Sequence, residues 1–366
     1  MTDLQLGPTN SLTDVAGIRV GHADRRVDGW LSGTTVVLAP EGGAVAGVDV
    51  RGGGPGTRET DALDPRNLVE RIHAIVLSGG SAFGLAAADG VMQRLFEAGV
   101  GYPVGGPGEV VPIVPGAVIF DLGRGGDFTK RPGAAMGAEA YDAAFSESTR
   151  SSPAGPVPIG VVGAGTGASA GGLKGAVGSA SVVLADGTTV AALVVVNSSG
   201  SCVDPATGEL YAARFGLPGD FTQLLLPDVD EVVAARAAVN AAGGPGGRGA
   251  VLATTIGVVA TDARLSKAQC SKVSGIAHDG MARAIRPVHT MFDGDTVFSM
   301  STGERESPDP LIFHALLDAG GDCFTRAIGR AILAAESVET PAGRWRSYRE
   351  AFPSAFATVR PADSAM

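Results

Sequence analysis

GGPGGRGAVLATTIGVVATDA, residues 243–263, joins two opposite kinds of chain. Its first seven residues are glycines, a proline and an arginine, a composition with little conformational preference of its own. The remainder is apolar and β-branched, and it reads as a strand. Two threonines, Thr254 and Thr255, stand where the strand begins. Downstream, residues 266–285 put Ala268, Val273, Ala277, Met281 and Ala284 on or near one helical face. DGDTVFSMSTG (293–303) follows as a strand, and 311–336 as a helix. Strand, helix, strand, helix in this order points to an α/β fold with helices packed outside central sheets.

The pattern extends upstream. Short strands are expected at 18–20, 34–38, 44–50, 74–77, 118–122, 159–162, 179–184 and 190–196. The last is an unbroken apolar run, as in a strand buried on both faces. A helix is expected after Ser81, with Leu85, Val91, Leu95 and Phe96 inward and Gly99 as its stop. Two more are expected at 133–144 and 228–242, with a polar, proline-rich surface loop at 146–158. The whole chain, 1–366, reads as one large α/β domain. A doubly wound parallel sheet is the alternative architecture.

Composition narrows the function. Apolar residues are 45% and charged residues 18% of the chain, enough to build a core and too few charges for a disordered one. Glycine, at 55 residues without a triplet period, indicates tight turns and close backbone approaches. A net charge of −10 without a basic cluster argues against nucleic acid as a partner. The three cysteines, Cys202, Cys270 and Cys323, are far apart and read as reduced thiols. No secretory leader and no apolar run of membrane-spanning length is evident, so a cytoplasmic location is expected, with no membrane partner. The five histidines lack ligand spacing, and neither a metal nor a cofactor is expected.

Several segments could carry chemistry. A threonine hydroxyl is a poor nucleophile unless a base removes its proton. A threonine at a chain's first position supplies that base as its own α-amine. Thr254 would reach that position by a break after the small residue Ala253, next to the flexible glycine run. The plainer reading is a buried strand that starts with two threonines. Asp293 and Asp295, two residues apart, could share one strand face and orient a hydroxyl or an ammonium; otherwise they form an Asp-Gly turn. Lys174, set among glycines, could occupy a cleft or be a solvated loop lysine. Asn197, ending VAALVVVN, could donate to an oxyanion or form a turn. GAGTGASAG (163–171) has dinucleotide-like glycine spacing but no helix after it. SGGSAFG (78–84), at a helix start, could bind an anion through free amides or serve close packing.

Taken together, the chain resembles the L-aminopeptidase/D-esterase family, which includes β-aminopeptidases and nylon-oligomer hydrolases. The resemblance rests on TDVAGIRVGH (13–22), GTTVVL (33–38), VRGGGPGTRETDALDP (50–65), LSGGSAFGLAAADGVM (77–92), GLKGAVGSAS (172–181), TTIGVVATDARLSKAQ (254–269) and DGDTVF (293–298), in that order. It implies a four-layer α-β-β-α sandwich like that of the ornithine acetyltransferases. It also implies self-cleavage between Ala253 and Thr254 into an α chain (1–253) and a β chain (254–366), and assemblies of such units, commonly tetramers.

By the same resemblance Thr254 is the N-terminal nucleophile, Asn197 the oxyanion donor and Lys174 an active-site lysine. Asp293 and Asp295 are the paired carboxylates. Aminopeptidase members often carry serine as nucleophile and Ser/Glu at the two carboxylate positions, so this chain leans toward the nylon-hydrolase-like group. Phe120 matches a tyrosine and would line the substrate pocket without a hydroxyl. Ala253 stands where asparagine or glycine is usual. The implied activity is hydrolysis of amide or ester bonds in small amino-acid-derived substrates through an acyl-Thr254 intermediate. Two rivals are an ornithine-acetyltransferase-like acyl transferase and a non-catalytic small-molecule or anion binder.

Overall fold

The computed structural model describes residues 4–145, 155–241 and 252–356. The glycine run 243–249 and most of the 146–158 loop lie outside them. Two sheets organise the chain. Eleven strands, numbered in chain order, make them: β1 (Gln5–Leu6), β2 (Arg19–Arg25), β3 (Ser32–Leu38), β4 (Val45–Val50), β5 (Thr57–Arg58), β6 (Ala74–Ser78), β7 (Gly116–Val118), β8 (Val177–Val183), β9 (Thr189–Val195), β10 (Ile256–Thr261) and β11 (Thr296–Ser301). One sheet runs β1-β8-β9-β10-β11-β4 and the other β2-β3-β6-β7-β5. The β10–β11 and β6–β7 pairs are parallel and their other neighbours antiparallel, so the sheets are mixed and the doubly wound alternative does not hold.

Among the described residues five main helices accompany the sheets: α1 (Ala87–Glu97), α2 (Ala134–Ala143), α3 (Val229–Ala241), α4 (Lys267–Ala284) and α5 (Pro310–Ala334). Strand alternation sorts their apolar partners. Along β10, Ile256, Val258 and Ala260 join Val37, Ile75 and Leu77 of the other sheet in one buried cluster. Val259, between them, faces the opposite way with Val273 and Met281 of α4 and Phe324 and Ile328 of α5. In β3, Val37 goes to the first cluster, while Val36 and Leu38 pack with Val91 and Leu95 of α1 and Met136 and Ala140 of α2. Each such large side chain, once buried, contributes roughly 1.5–3 kcal/mol.

Glycine permits a close helix contact. A Cβ at Gly90 of α1 would collide with the Ala134 carbonyl, and one at Gly137 of α2 with the Ala87 carbonyl. The two helices therefore approach backbone to backbone, which explains part of the glycine content.

Helix ends follow their sequence signals. Ser266 caps α4 by accepting from the Gln269 amide, with the Gln269 side chain reaching back. Asp309 caps α5, with Pro310 in its first turn. Some expectations shift. The 118–122 strand stops at Val118, and 159–162 contributes only a bridge at Gly160 to Val177. The expected inward Ala268 is exposed, and its neighbour Lys267 is buried instead. The Lys267 ammonium donates to the carbonyls of Ala62 (3.2 Å), Asn67 (3.0 Å) and Val69 (2.8 Å), which makes burial of the lysine possible.

Candidate active site

Sheet topology brings the candidate residues to one end. β10 and β11 are parallel, with Ile256 opposite Thr296, so Thr254 and the Asp293–Gly294–Asp295 segment both precede their strands on the same side. β9 is antiparallel to β10, with Val195 opposite Ile256, so its outgoing residue Asn197 arrives there too. β4 is antiparallel to β11, and the glycines after it pass the same end: the Gly54 amide donates to the Asp293 carbonyl at 2.9 Å.

Thr254 is buried at the centre of this junction. Its amide donates to the Asn197 carbonyl at 2.6 Å. Its hydroxyl donates to the Ala253 carbonyl at 2.6 Å. The Gly294 amide donates to that same Ala253 oxygen at 3.0 Å. Thus the carbonyl immediately before Thr254 is held by two donors, one of them the candidate nucleophile. A backbone amide aimed at a carbonyl oxygen can also stabilise negative charge that develops there.

The two carboxylates bracket this centre but hydrogen-bond its neighbours. Asp295 Oδ1 accepts from the Thr255 amide at 2.8 Å. Its Oδ2 accepts from the His289 amide at 3.1 Å and pairs with His289 Nδ1 at 2.8 Å. His289 has φ of +57°, an unusual conformation for a residue with a Cβ, and here its backbone and ring reach one oxygen. Asp293 Oδ1 accepts from the Ser199 hydroxyl at 2.9 Å, and Oδ2 from the Thr290 hydroxyl at 2.6 Å and amide at 3.0 Å. Both carboxylates are buried; Asp295 holds the backbone directly after Thr254, while Asp293 ties together the Ser199 and Thr290 loops.

Asn197 is fully buried. Its Oδ1 accepts from Arg124 Nη1 at 2.6 Å and from the Ser169 amide at 3.0 Å. Its Nδ2 donates to the Phe120 carbonyl at 3.4 Å. Phe120 therefore borders the site through its backbone, with its side chain partly buried. Lys174 is also fully buried, and its amine donates to the carbonyls of Gly165 (3.1 Å), Ala168 (2.8 Å) and Gly175 (2.7 Å). Those bonds shape the loop that presents the Ser169 amide to Asn197; Lys174 makes no hydrogen bond to Thr254. Burial, reinforced by the Arg124 charge, pushes the Lys174 amine well below its ordinary range, against the pull of Asp121. Burial likewise raises the Asp121 carboxyl and brings the Arg124 guanidinium down to about 10.

The other motifs are absorbed by the fold. In SGGSAFG, the amides of Gly79, Gly80 and Ser81 donate to the Gly33 carbonyl, the Asp121 carboxylate and the Ile119 carbonyl, so none of these three is free for an anion. GAGTGASAG begins a single 3-10 turn, Gly163–Gly165, with no α-helix after it. Among the described residues, no group of three or more His, Cys, Asp or Glu side chains is placed to hold a metal. No helix among them is long and apolar enough to cross a membrane.

Arg124, Ser169, Ser199, His289 and Gly294 were not singled out by the sequence reading. Two of them lay within motifs that were: Gly294 in DGD, between the two carboxylates rather than as a donor, and Ser169 in GAGTGASAG, read for its glycine spacing rather than for its amide.

Comparisons with known proteins give the chain's family. Residues 10–346 match the model of peptidase family S58. An uncharacterised aminopeptidase of Mycobacterium leprae is 48% identical over 97% of this chain and 98% of its own. A 6-aminohexanoate-oligomer endohydrolase of Kocuria sp. is 31% identical over 81% of this chain and 76% of its own. In three dimensions the chain resembles a β-aminopeptidase of Burkholderia sp., with a TM-score of 0.69 and 22% identity, covering 98% of this chain and 96% of that one. It also resembles the L-aminopeptidase D-Ala-esterase/amidase of Ochrobactrum anthropi, described as a variant of the Ntn hydrolase fold, with a TM-score of 0.67, 20% identity and coverage of 93% and 92%. With a family model spanning most of its length and a relative of such identity, the chain belongs to peptidase family S58 and is a hydrolase acting on amide bonds.

Proposed function

We propose that the chain is an N-terminal-nucleophile aminopeptidase that activates itself by cutting between Ala253 and Thr254. The observation that carries this reading is the Thr254 hydroxyl on the Ala253 carbonyl at 2.6 Å, with the Gly294 amide on the same oxygen at 3.0 Å. The Thr254 oxygen attacks the Ala253 carbonyl carbon, and the Gly294 amide receives the developing charge. The C–N bond breaks, the nitrogen takes a proton, and an ester joins Ala253 to the Thr254 side chain. Water hydrolyses the ester, leaving a carboxylate on Ala253 and a free amine on Thr254.

Turnover then repeats the chemistry on substrate. The Thr254 α-amine, with an ordinary pKa of about 8, takes the hydroxyl proton. The Asn197 carbonyl, 2.6 Å from that nitrogen in the uncut chain, holds it in place. The hydroxyl oxygen attacks an amide carbonyl, the Asn197 side-chain amide stabilises the oxyanion, and the amine departs with a proton. Water releases the acyl group. Asp295 fixes the backbone after the nucleophile, Asp293 fixes the Ser199 and Thr290 loops beside it, and Lys174 shapes the loop behind Asn197. Phe120 borders the acyl site.

The substrates are small peptides or amides with a free amine near the scissile bond, and ω-amino acid oligomers are the second class because of the endohydrolase relative. The same reading takes 1–366 as one hydrolase domain that becomes an α chain, 1–253, and a β chain, 254–366. It takes the fold as a four-layer α-β-β-α sandwich of the ornithine-acetyltransferase type, in line with the three apolar clusters. It includes self-association of the cut units, commonly as a tetramer, in the cytoplasm. A panel of p-nitroanilides from α-, β-, D- and ω-amino acids tests the activity. Turnover of at least one by the cut enzyme, lost in Thr254→Ala, is expected; equal turnover by Thr254→Ala would overturn the reading.

A further inference from the structure

We propose that Arg124 is a positioning residue for substrate turnover, acting through Asn197. Arg124 Nη1 donates to Asn197 Oδ1 at 2.6 Å and to the Gly167 carbonyl at 2.6 Å. The Ser169 amide, at 3.0 Å, is a second donor to the same Oδ1. Two N–H groups converging on one atom identify that atom as oxygen, so the side chain's other end is its NH2. Among the described residues the acceptor it meets is the Phe120 carbonyl at 3.4 Å, a long bond that leaves donor capacity for an oxyanion.

The consequence is more than orientation. A cationic donor on the amide oxygen draws electrons from the amide and makes its N–H groups stronger donors. Burial lowers the Arg124 guanidinium only to about 10, so it is charged at neutral pH. The arginine is held by its backbone as well: its amide donates to the Asp121 carbonyl at 3.2 Å, and its carbonyl accepts from the Thr340 hydroxyl at 2.6 Å. Asp121 supplies the nearby negative charge that makes a buried guanidinium tolerable.

This inference rests on the N-terminal-nucleophile reading and divides its two reactions. In self-cleavage the charge develops on the Ala253 oxygen, which the Gly294 amide holds. In turnover it develops on the substrate, where Asn197 serves. Loss of Arg124 therefore slows turnover and spares self-cleavage.

The test compares purified wild-type enzyme with Arg124→Met and Arg124→Gln, following chain cleavage by intact mass and anilide hydrolysis by rate. Both variants are expected to cut themselves, which also shows that they fold. Their kcat should fall about 10- to 100-fold with KM little changed. Arg124→Gly should regain part of its kcat on addition of guanidinium, at concentrations below those that unfold the protein. A kcat within twofold of wild type in both variants, a parallel loss of cleavage and turnover, or the absence of guanidinium rescue would overturn the proposal. Wild-type enzyme that neither cuts itself nor turns over any anilide would instead overturn the reading on which it rests.

Discussion

The Thr254 hydroxyl donates to the carbonyl oxygen of Ala253, 2.6 Å away, and so lies beside the bond that separates the proposed α and β chains. The contact is local, yet its environment is not. The Gly294 amide on the same oxygen comes from the segment before β11, and the Asn197 carbonyl on the Thr254 amide from the segment after β9. Sheet pairing fixes both, so the junction is set in place before any bond breaks.

Gly294 has no room for a side chain. A Cβ there would lie 2.7 Å from the Thr254 hydroxyl and 2.7 Å from the Gly54 carbonyl. Gly294→Ala should displace the nucleophile and slow self-cleavage at least about tenfold, since a misplacement of about 1 Å can cost about 100-fold. The rate of appearance of the two chains on a denaturing gel measures it.

Asn197→Ala removes the proposed oxyanion donor. In enzyme that has already cut itself, kcat should fall about 100- to 1000-fold, or roughly 3–4 kcal/mol of transition-state stabilisation. KM should change little, because the interaction strengthens only as charge develops. Steady-state kinetics on one anilide substrate separates the two parameters.

Asp295 accepts on both oxygens, from Thr255 on one and His289 on the other. Asn at this position turns an NH2 toward one of those donors. Asp295→Asn should therefore loosen either the Thr255 backbone or the His289 turn, at about 1–3 kcal/mol of stability. Self-cleavage and turnover should both slow, unlike the divided effect expected at Arg124. Denaturant midpoints and cleavage rates on the same preparation check this.

Acid should destabilise the fold through its buried histidines. Burial lowers His22 from 6.5 to about 4, against the opposing charge of Asp24, and burial also brings His278 to about 4. Between pH 6.5 and 4 the unfolded chain takes up protons that the folded chain refuses. Stability is thus full above about 6.5 and is lost as pH falls through that window, by at most about 3 kcal/mol for His22. Denaturant unfolding at pH 7 and pH 4.5 measures the loss, and His22→Asn should lose less over the same interval.

Much of the fold was legible in the sequence because periodicity reports burial directly. The alternation in β10 and the helical face of α4 follow from which residues are apolar. The errors have physical causes. Lys267 is buried in place of Ala268 because three distant carbonyls meet its ammonium, and no local pattern encodes those partners. The chain after Val118 leaves its sheet to carry Phe120 and Arg124 toward Asn197, although it is as apolar as a strand. Thr254, Asn197, Lys174 and the two aspartates were named from motifs. That Asn197 holds Thr254, that the aspartates grip neighbouring backbone and that Lys174 faces its own loop depend on strand pairing and loop closure between distant segments, which spacing along the chain does not reveal.

The most direct test of the account is intact-mass analysis of the purified, denatured protein after prolonged incubation, with Thr254→Ala alongside. Two chains are expected from the wild type, the second beginning at Thr254, and a single uncut, inactive chain from the variant. A single full-length mass from wild-type protein with full amidase activity would contradict it.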